Sequence, residues 1–269
     1  MFPTSPLASP PVTWIGLALL GVAVGGIGTL IGAGGGFILM PVLLLLYPRE
    51  QTSTLASISL GVVCFNALSG SIGYARLKQI DYRSGILFSI AGVPGAIIGA
   101  MLVPHIHRSL FDTLLGVVLL GAGLFMAFVG ALRPKSGPAA EAPATPRRRV
   151  LGVIIAFFVG VLSSLLGIGG GIIHVPLMVY ALGFPVHMAT ATSHFVLAMT
   201  SGAGTAAHIL TGALEIGWHR MLAIGLGAVV GAQIGAHFSP RVHSTWIIRG
   251  LGIALALAGA RLLYGVLTR

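Results

Sequence analysis

The sequence predicts an all-α integral membrane protein of about eight hydrophobic segments in two duplicated halves, and three observations predict it. First, the 269 residues are 56% hydrophobic and only 7% charged, with a mean hydropathy of +1.00. Too few charges are present to cover a water-facing surface of that size, whereas lipid accepts apolar side chains in every direction. Second, no Asp, Glu, Lys or Arg occurs from Trp14 to Tyr47 or from Val150 to Leu214. Each run is longer than the ~20 residues one helix needs to cross hydrocarbon, so each holds more than one membrane segment. Third, GAGGGFILMP (Gly32 to Pro41) matches GIGGGIIHVP (Gly167 to Pro176), GAIIGA (Gly95 to Ala100) matches GAQIGA (Gly231 to Ala236), and Pro104 matches Pro240, at offsets of 134 to 136 residues.

In chain order, charge-free runs bounded by polar or basic turns give segments at 14–47, 54–75, 85–103, 110–132, 150–182, 189–211, 221–238 and 246–266. Helix is expected throughout, because backbone groups in lipid must bond internally and the alternation of a barrel strand is absent. A first transmembrane repeat covers 14–132 and a second 150–266. Between them, RPKSGPAAEAPATPRRR at 133–149 reads as a flexible linker from its Pro, Ala and charge content.

The net charge of +10 raises the question of nucleic acid. Its placement answers it: Arg76, Lys78 and Arg83 share one short loop, and Arg133, Lys135, Arg147, Arg148 and Arg149 share another. Such clustering follows the positive-inside rule, lacks an aromatic-basic stripe, and puts loops 76–83 and 133–149 in the cytoplasm with no nucleic acid partner. Cys64 is the single cysteine, so no internal disulfide forms. The Pro- and Ser-rich stretch from Met1 to Thr13 has no basic residue ahead of the first apolar run and does not read as a cleaved leader.

The opening segment of each half must be interrupted, since 34 residues of helix extend ~51 Å against ~30 Å of hydrocarbon. Gly32, Gly34, Gly35 and Gly36 before Pro41, and Gly167, Gly169, Gly170 and Gly171 before Pro176, mark the interruptions. Either a discontinuous helix or a hairpin satisfies that pattern. A single broken pass makes the halves parallel with both termini cytoplasmic; hairpins make them inverted with both termini outside.

Unwound backbone at membrane depth is tolerated where protein buries it or where it lines a cavity, so the paired breaks locate the candidate site. Backbone N–H groups of Gly34, Gly35, Gly36, Gly169, Gly170 and Gly171, each ahead of a short helix (37–47 and 172–182), suit the oxygens of a small anion. In the following segments Ser59 aligns with Ser193 and, seven residues on, Asn66 with Thr200, which puts hydroxyl and amide groups on one helix face. Close packing of small residues and ordinary interhelical hydrogen bonds are the structural alternatives for these positions.

The second half alone carries His174, His194 and His208 within apolar runs, opposite Leu39, Leu60 and Tyr74 of the first. Intramembrane ionisable groups mark candidate proton-coupling or anion-contact positions, and His194, Ser201, Thr205 and His208 follow one helical stripe. Asp81 and Glu215 match at the loops after the second segments and read as anchors of helix ends near water.

With these motifs in view, the chain resembles the TauE/SafE family of sulfite exporters over about residues 14–266. Carrying the resemblance are GxGGGxxxxP at Gly32 to Pro41 and Gly167 to Pro176, the Ser-containing patches Ala56 to Leu60 and Ala191 to Phe195, and the GAxxGA motifs. It implies a multi-pass carrier of the bacterial inner membrane that exports sulfite, sulfate-like or organosulfonate anions, uses no cofactor, and includes Thr192 beside Ser193 in its site. The family's frequent Gly-Thr-Ser pattern stands here as Ser57-Ile58-Ser59 and Ala191-Thr192-Ser193.

The expectation is therefore a secondary transporter, not an enzyme, that binds a small anion between the repeats and draws on protons or on no coupling ion. Two rivals remain at this point. One is an intramembrane metalloenzyme using His174, His194 and His208 with His187 nearby, against which stands the lack of a carboxylate within those runs. The other is an anion channel.

Overall fold

The structure is a computed structural model that describes residues 14–128, 146–239 and 245–268. The N-terminal stretch and residues 133–145 of the linker lie outside the described residues. Among the described residues ten α-helices form in chain order: α1 Trp14–Ile31, α2 Gly36–Leu46, α3 Thr52–Arg76, α4 Tyr82–Leu102, α5 Arg108–Phe128, α6 Pro146–Leu166, α7 Gly171–Tyr180, α8 Val186–Leu210, α9 Trp218–Phe238 and α10 Thr245–Leu267. Seven helices among the described residues are long and apolar enough to cross a membrane. The 25 residues of α8 give it the same reach, but its Thr, Ser and His content lowers its hydropathy.

Close glycine approaches fix the helix directions. Gly227 lies on Ala18, Gly231 on Val22 and Gly235 on Gly26, so α1 and α9 run parallel. Gly92 lies on Ala156, Gly95 on Phe157 and Gly99 on Val161, so α4 and α6 run parallel as well. α3 and α8 are antiparallel, with Gly204 on Leu60 and Gly70 on His194; α5 and α10 are antiparallel, with Gly123 on Gly252 and Gly116 on Gly259. Packing partners thus exchange in pairs, α1 with α9 as α6 with α4, and α3 with α9 as α8 with α4. The GAxxGA faces pack inside one chain, where an absent side chain lets backbones touch.

Each long apolar run is a hairpin rather than one broken pass. Trp14 at the start of α1 meets the ring of His219, and Tyr47 at the end of α2 carries the Arg220 guanidinium 4.2 Å above its ring. Both ends of this first hairpin therefore lie at the start of α9. Likewise Arg148, near the start of α6, donates to the Leu182 carbonyl just past α7 at 3.4 Å. With α3 antiparallel to α8, matching helices of the two halves point in opposite directions, which is the inverted arrangement. The linker end of the bundle carries Arg76, Lys78, Arg83, Arg147, Arg148, Arg149 and Arg249; α1 starts and α10 ends at the other.

Glycine makes the reversals. Gly32, Gly34, Gly35, Gly167 and Gly169 have φ from +65° to +79°. A β-carbon there costs roughly 1–2 kcal/mol per residue. Proline plays a smaller part than its position in the sequence suggests: Pro41 and Pro176 sit inside α2 and α7, which start at the glycines instead. At 1.5 Å per residue α2 rises roughly 16 Å, well short of the ~30 Å of hydrocarbon.

Candidate functional site

The two glycine stretches cross near the middle of the bundle. A β-carbon on Gly36 would lie 2.5 Å from the Ile168 carbonyl oxygen, and one on Gly171 would lie 2.5 Å from both Ala33 Cα and the Gly32 oxygen. Val63 of α3 and Leu197 of α8 close over the crossing, each against Gly34, with Val63 also against Gly169. Neither side chain offers a polar group, so the electrostatics of the crossing belong to the backbone.

Around the first stretch, polar groups are consumed in holding the hairpin. Gly32 N–H donates to the Thr29 carbonyl at 3.0 Å, and Ala33 and Gly34 N–H donate to the Gly28 carbonyl at 2.8 and 3.2 Å. Asn66, fully buried, donates to the carbonyls of Gly34 at 2.9 Å and Gly25 at 3.4 Å and accepts from the Thr29 hydroxyl at 2.6 Å. Tyr74 donates to the Thr29 carbonyl at 2.6 Å. His194 belongs to this network: its Nε2 lies 3.3 Å from Thr29 Oγ1, and its ring meets Tyr74 edge-on. Such saturation leaves the N–H groups of Gly35, Gly36 and Phe37 without a backbone acceptor, while the turn itself packs closely on Val24, Ile168 and Val63.

Around the second stretch the same positions are open. Among the described residues, no backbone carbonyl accepts from the N–H groups of residues 167–172. A narrow cleft, with a cavity volume of about 10 Å³, is lined by α6, the N-terminus of α7 and α8. Its polar lining is Ser163, Gly170, Gly171, His174, Ser193 and Thr200, while Val159, Val196 and Leu197 supply apolar wall. Ser163 Oγ, Ser193 Oγ and His174 Nε2 are buried without a hydrogen-bond partner in the protein. Such atoms lose hydration at a cost of about 1–3 kcal/mol each when nothing replaces it, so their convergence makes this cleft the candidate site.

Matched positions that carry different residues account for the difference. Gly28 at the end of α1 lets the turn press so close that a β-carbon would meet Gly35 N at 2.3 Å. The matching position on α6 is Ser163, whose side chain holds the second turn away from its helix. At the α2/α7 level, Leu39 fills space where His174 faces the cleft, its ring edge-on to Phe88.

The sequence-predicted residues therefore divide. Gly170, Gly171, Ser193, Thr200 and His174 come together in the cleft, and Gly169 lies just outside it on Val63. Thr200 bonds its own helix, donating to the Val196 carbonyl at 3.0 Å. Gly34, Gly35, Gly36 and Asn66 form the tightly bonded first turn. Ser59 reaches across to donate to the Gly167 carbonyl at 2.5 Å, pinning the second turn. Thr192 accepts from Asp81 N–H at 3.0 Å at the start of α4, and Asp81 itself caps that helix through Arg83 and Ser84 N–H. His208 bonds the Ser164 carbonyl at 3.3 Å. The three histidines thus serve three different places, and among the described residues no three His, Cys, Asp or Glu side chains converge on a point that suits a metal. Ser163 is the cleft residue that sequence reasoning missed; the visible signal was a Ser opposite Gly28 at the 135-residue offset.

A family model described as "Sulfite exporter TauE/SafE" matches residues 17–262. The chain is 32% identical over 94% of its length to "Probable membrane transporter protein YunE" of Bacillus subtilis, covering 98% of that protein. It is 27% identical to the B. subtilis "Probable membrane transporter protein YdhB" over 91% of the chain and 97% of the relative. To "Probable membrane transporter protein MJ0441" of Methanocaldococcus jannaschii it is 27% identical over 72% of the chain and 71% of the relative. No solved structure matches.

Proposed function

This chain belongs to the TauE/SafE sulfite exporter family of multi-pass membrane transporters, and from that premise we propose that it exports a small sulfur-containing anion, such as sulfite, sulfate or an organosulfonate, by secondary transport. The observation that carries the proposal is the cleft at the N-terminus of α7. There Gly170 and Gly171, whose N–H groups have no backbone acceptor, and the unbonded hydroxyls of Ser163 and Ser193 line one cleft. A helix N-terminus presents the equivalent of about half a positive charge together with donors aimed outward, which suits a sulfo or sulfite oxygen set. No Lys or Arg lines the cleft, so the anion is held without a permanent counter-charge that would trap it.

The linker end, with its cluster of Arg and Lys, faces the cytoplasm of a bacterial inner membrane, and α1 starts and α10 ends on the outside. Alternating access follows from the two hairpins crossing at a midplane site, one opening toward each face.

The test is a flux screen in liposomes with sulfite, sulfate, thiosulfate, sulfoacetate and taurine, for the native chain and for a Ser163→Ala, Ser193→Ala double variant. Saturable flux of at least one anion, lowered roughly 10- to 100-fold in the double variant, is expected from the loss of two bonds to a charged group. Equal flux in both proteins would remove the cleft from the transport path.

A further inference from the structure

The cleft described above contains one ionisable side chain, His174. His174 is 3% exposed, its Nε2 has no partner in the protein, and it sits one turn into α7 beside the free N–H groups. The groups facing it are neutral on every side. α6 presents Ser163, Val159 and Gly160; α8 presents Ser193, Val196 and Thr200; α4 presents the edge of Phe88. The other ionisable groups of those helices are engaged or placed elsewhere. Arg148 bonds the Leu182 carbonyl past the far end of α7, His194 turns to Thr29, His208 turns to the Ser164 carbonyl, and His187 is exposed in the first turn of α8.

A singly charged anion enclosed at this depth needs more compensation than a helix terminus supplies. A neutral imidazole facing an anion with its lone pair repels it; an imidazolium in the same place donates a hydrogen bond and cancels the charge. We propose that the anion and one proton enter the cleft together, the proton bound on His174 Nε2, and that both leave together, so that the carrier moves them as a neutral pair. The step is a reversible protonation: the Nε2 lone pair takes a proton from water on the loading side and returns it to water on the release side. This inference rests on the cleft being the anion site.

The experiment uses the purified full-length chain and methanesulfonate, which stays ionised across the working range, so any proton taken up on binding is held by the protein. Binding heats measured near pH 7.5 in buffers of different ionisation enthalpy give the number of protons taken up per anion. About one is expected for the native chain, falling to near zero in His174→Gln, which keeps a hydrogen-bonding side chain but cannot charge. His194→Gln and His208→Gln keep a value near one. Should His174→Gln fail to bind or fold, those two variants decide: a value near one in both assigns the proton to His174, and its loss in either, with binding retained, overturns the assignment. Binding without proton uptake in the native chain also overturns it, while leaving the cleft as an anion site. Absence of any methanesulfonate binding removes the cleft reading and this inference together.

Discussion

The two glycine hairpins start from nearly the same ten residues and end in different chemistry. In the first, Gly28, Asn66 and Leu39 let the turn fold back on α1, bond its own carbonyls and fill with apolar side chains. In the second, Ser163, Thr200 and His174 take those positions; the turn stands off its helix, and its N–H groups face a polar cleft. The same backbone reversal therefore stands once as a tightly bonded turn and once as an open turn beside a polar cleft. Three side chains make the difference, each by what it does with hydrogen bonds.

That comparison is easiest to break at the glycines. Gly35 has a φ of +79°, and a β-carbon there would sit 2.6 Å from the Val24 carbonyl oxygen. Gly170 has a φ of −67°, and its nearest neighbour would be the Val159 Cγ1 at 2.5 Å, a side-chain atom able to move. Gly35→Ala is thus expected to lower stability by roughly 2–4 kcal/mol, from backbone strain plus overpacking. Membrane yield and thermal stability in detergent measure that loss. Gly170→Ala is expected to insert and fold but to lose most anion flux, because the new methyl stands over the free N–H groups. If both variants fail in the same way, the two hairpins are equivalent and the contrast is gone.

Asn66 and Thr200 come next in size. Asn66→Ala removes bonds to Gly34, Gly25 and Thr29 within a buried network and is expected to cost about 2–3 kcal/mol, read as a fall in unfolding temperature. Thr200→Val removes one bond to its own helix and is expected to cost under about 1 kcal/mol. Exchanging Ser163 for the first hairpin's glycine sharpens the comparison further. Ser163→Gly should let the second turn close and weaken methanesulfonate binding roughly tenfold, equivalent to about 1.4 kcal/mol. An unchanged affinity would show that another feature holds the turn open. A similarly small effect is expected for Tyr74→Phe, which loses the bond to the Thr29 carbonyl in the tightly bonded turn and costs about 1 kcal/mol without altering transport.

Much of the fold was legible because lipid makes the code simple. A charge-free run of 34 residues is too long for one pass, and five consecutive positions rich in glycine are the only place it can reverse. The small-residue motifs at Gly95 and Gly231 were readable as packing faces, yet their partners, α6 and α1, were not, since any two smooth helix faces fit each other. Proline misled in one respect: the helix starts at Gly36 and Gly171 and simply passes through Pro41 and Pro176, since a short helix gives up one bond there and keeps the rest. Among the candidate site residues, the hydroxyl and amide positions were not separable by sequence, because Ser59, Asn66 and Thr192 look like Ser193 and Thr200 until their partners are known.

Composition and spacing by themselves determined that this is a helical membrane protein, where its backbone leaves helix, and which few polar side chains lie in apolar surroundings, because each of these depends on what lipid forbids. Whether a long run turns back or continues, which of two matching glycine stretches closes on itself, and which polar atom is left unbonded were decided only by tertiary structure. The reason is physical: a hydrogen-bonding group is spent or available according to what stands about 3 Å away, and distances between segments far apart in sequence exist only once the chain has packed.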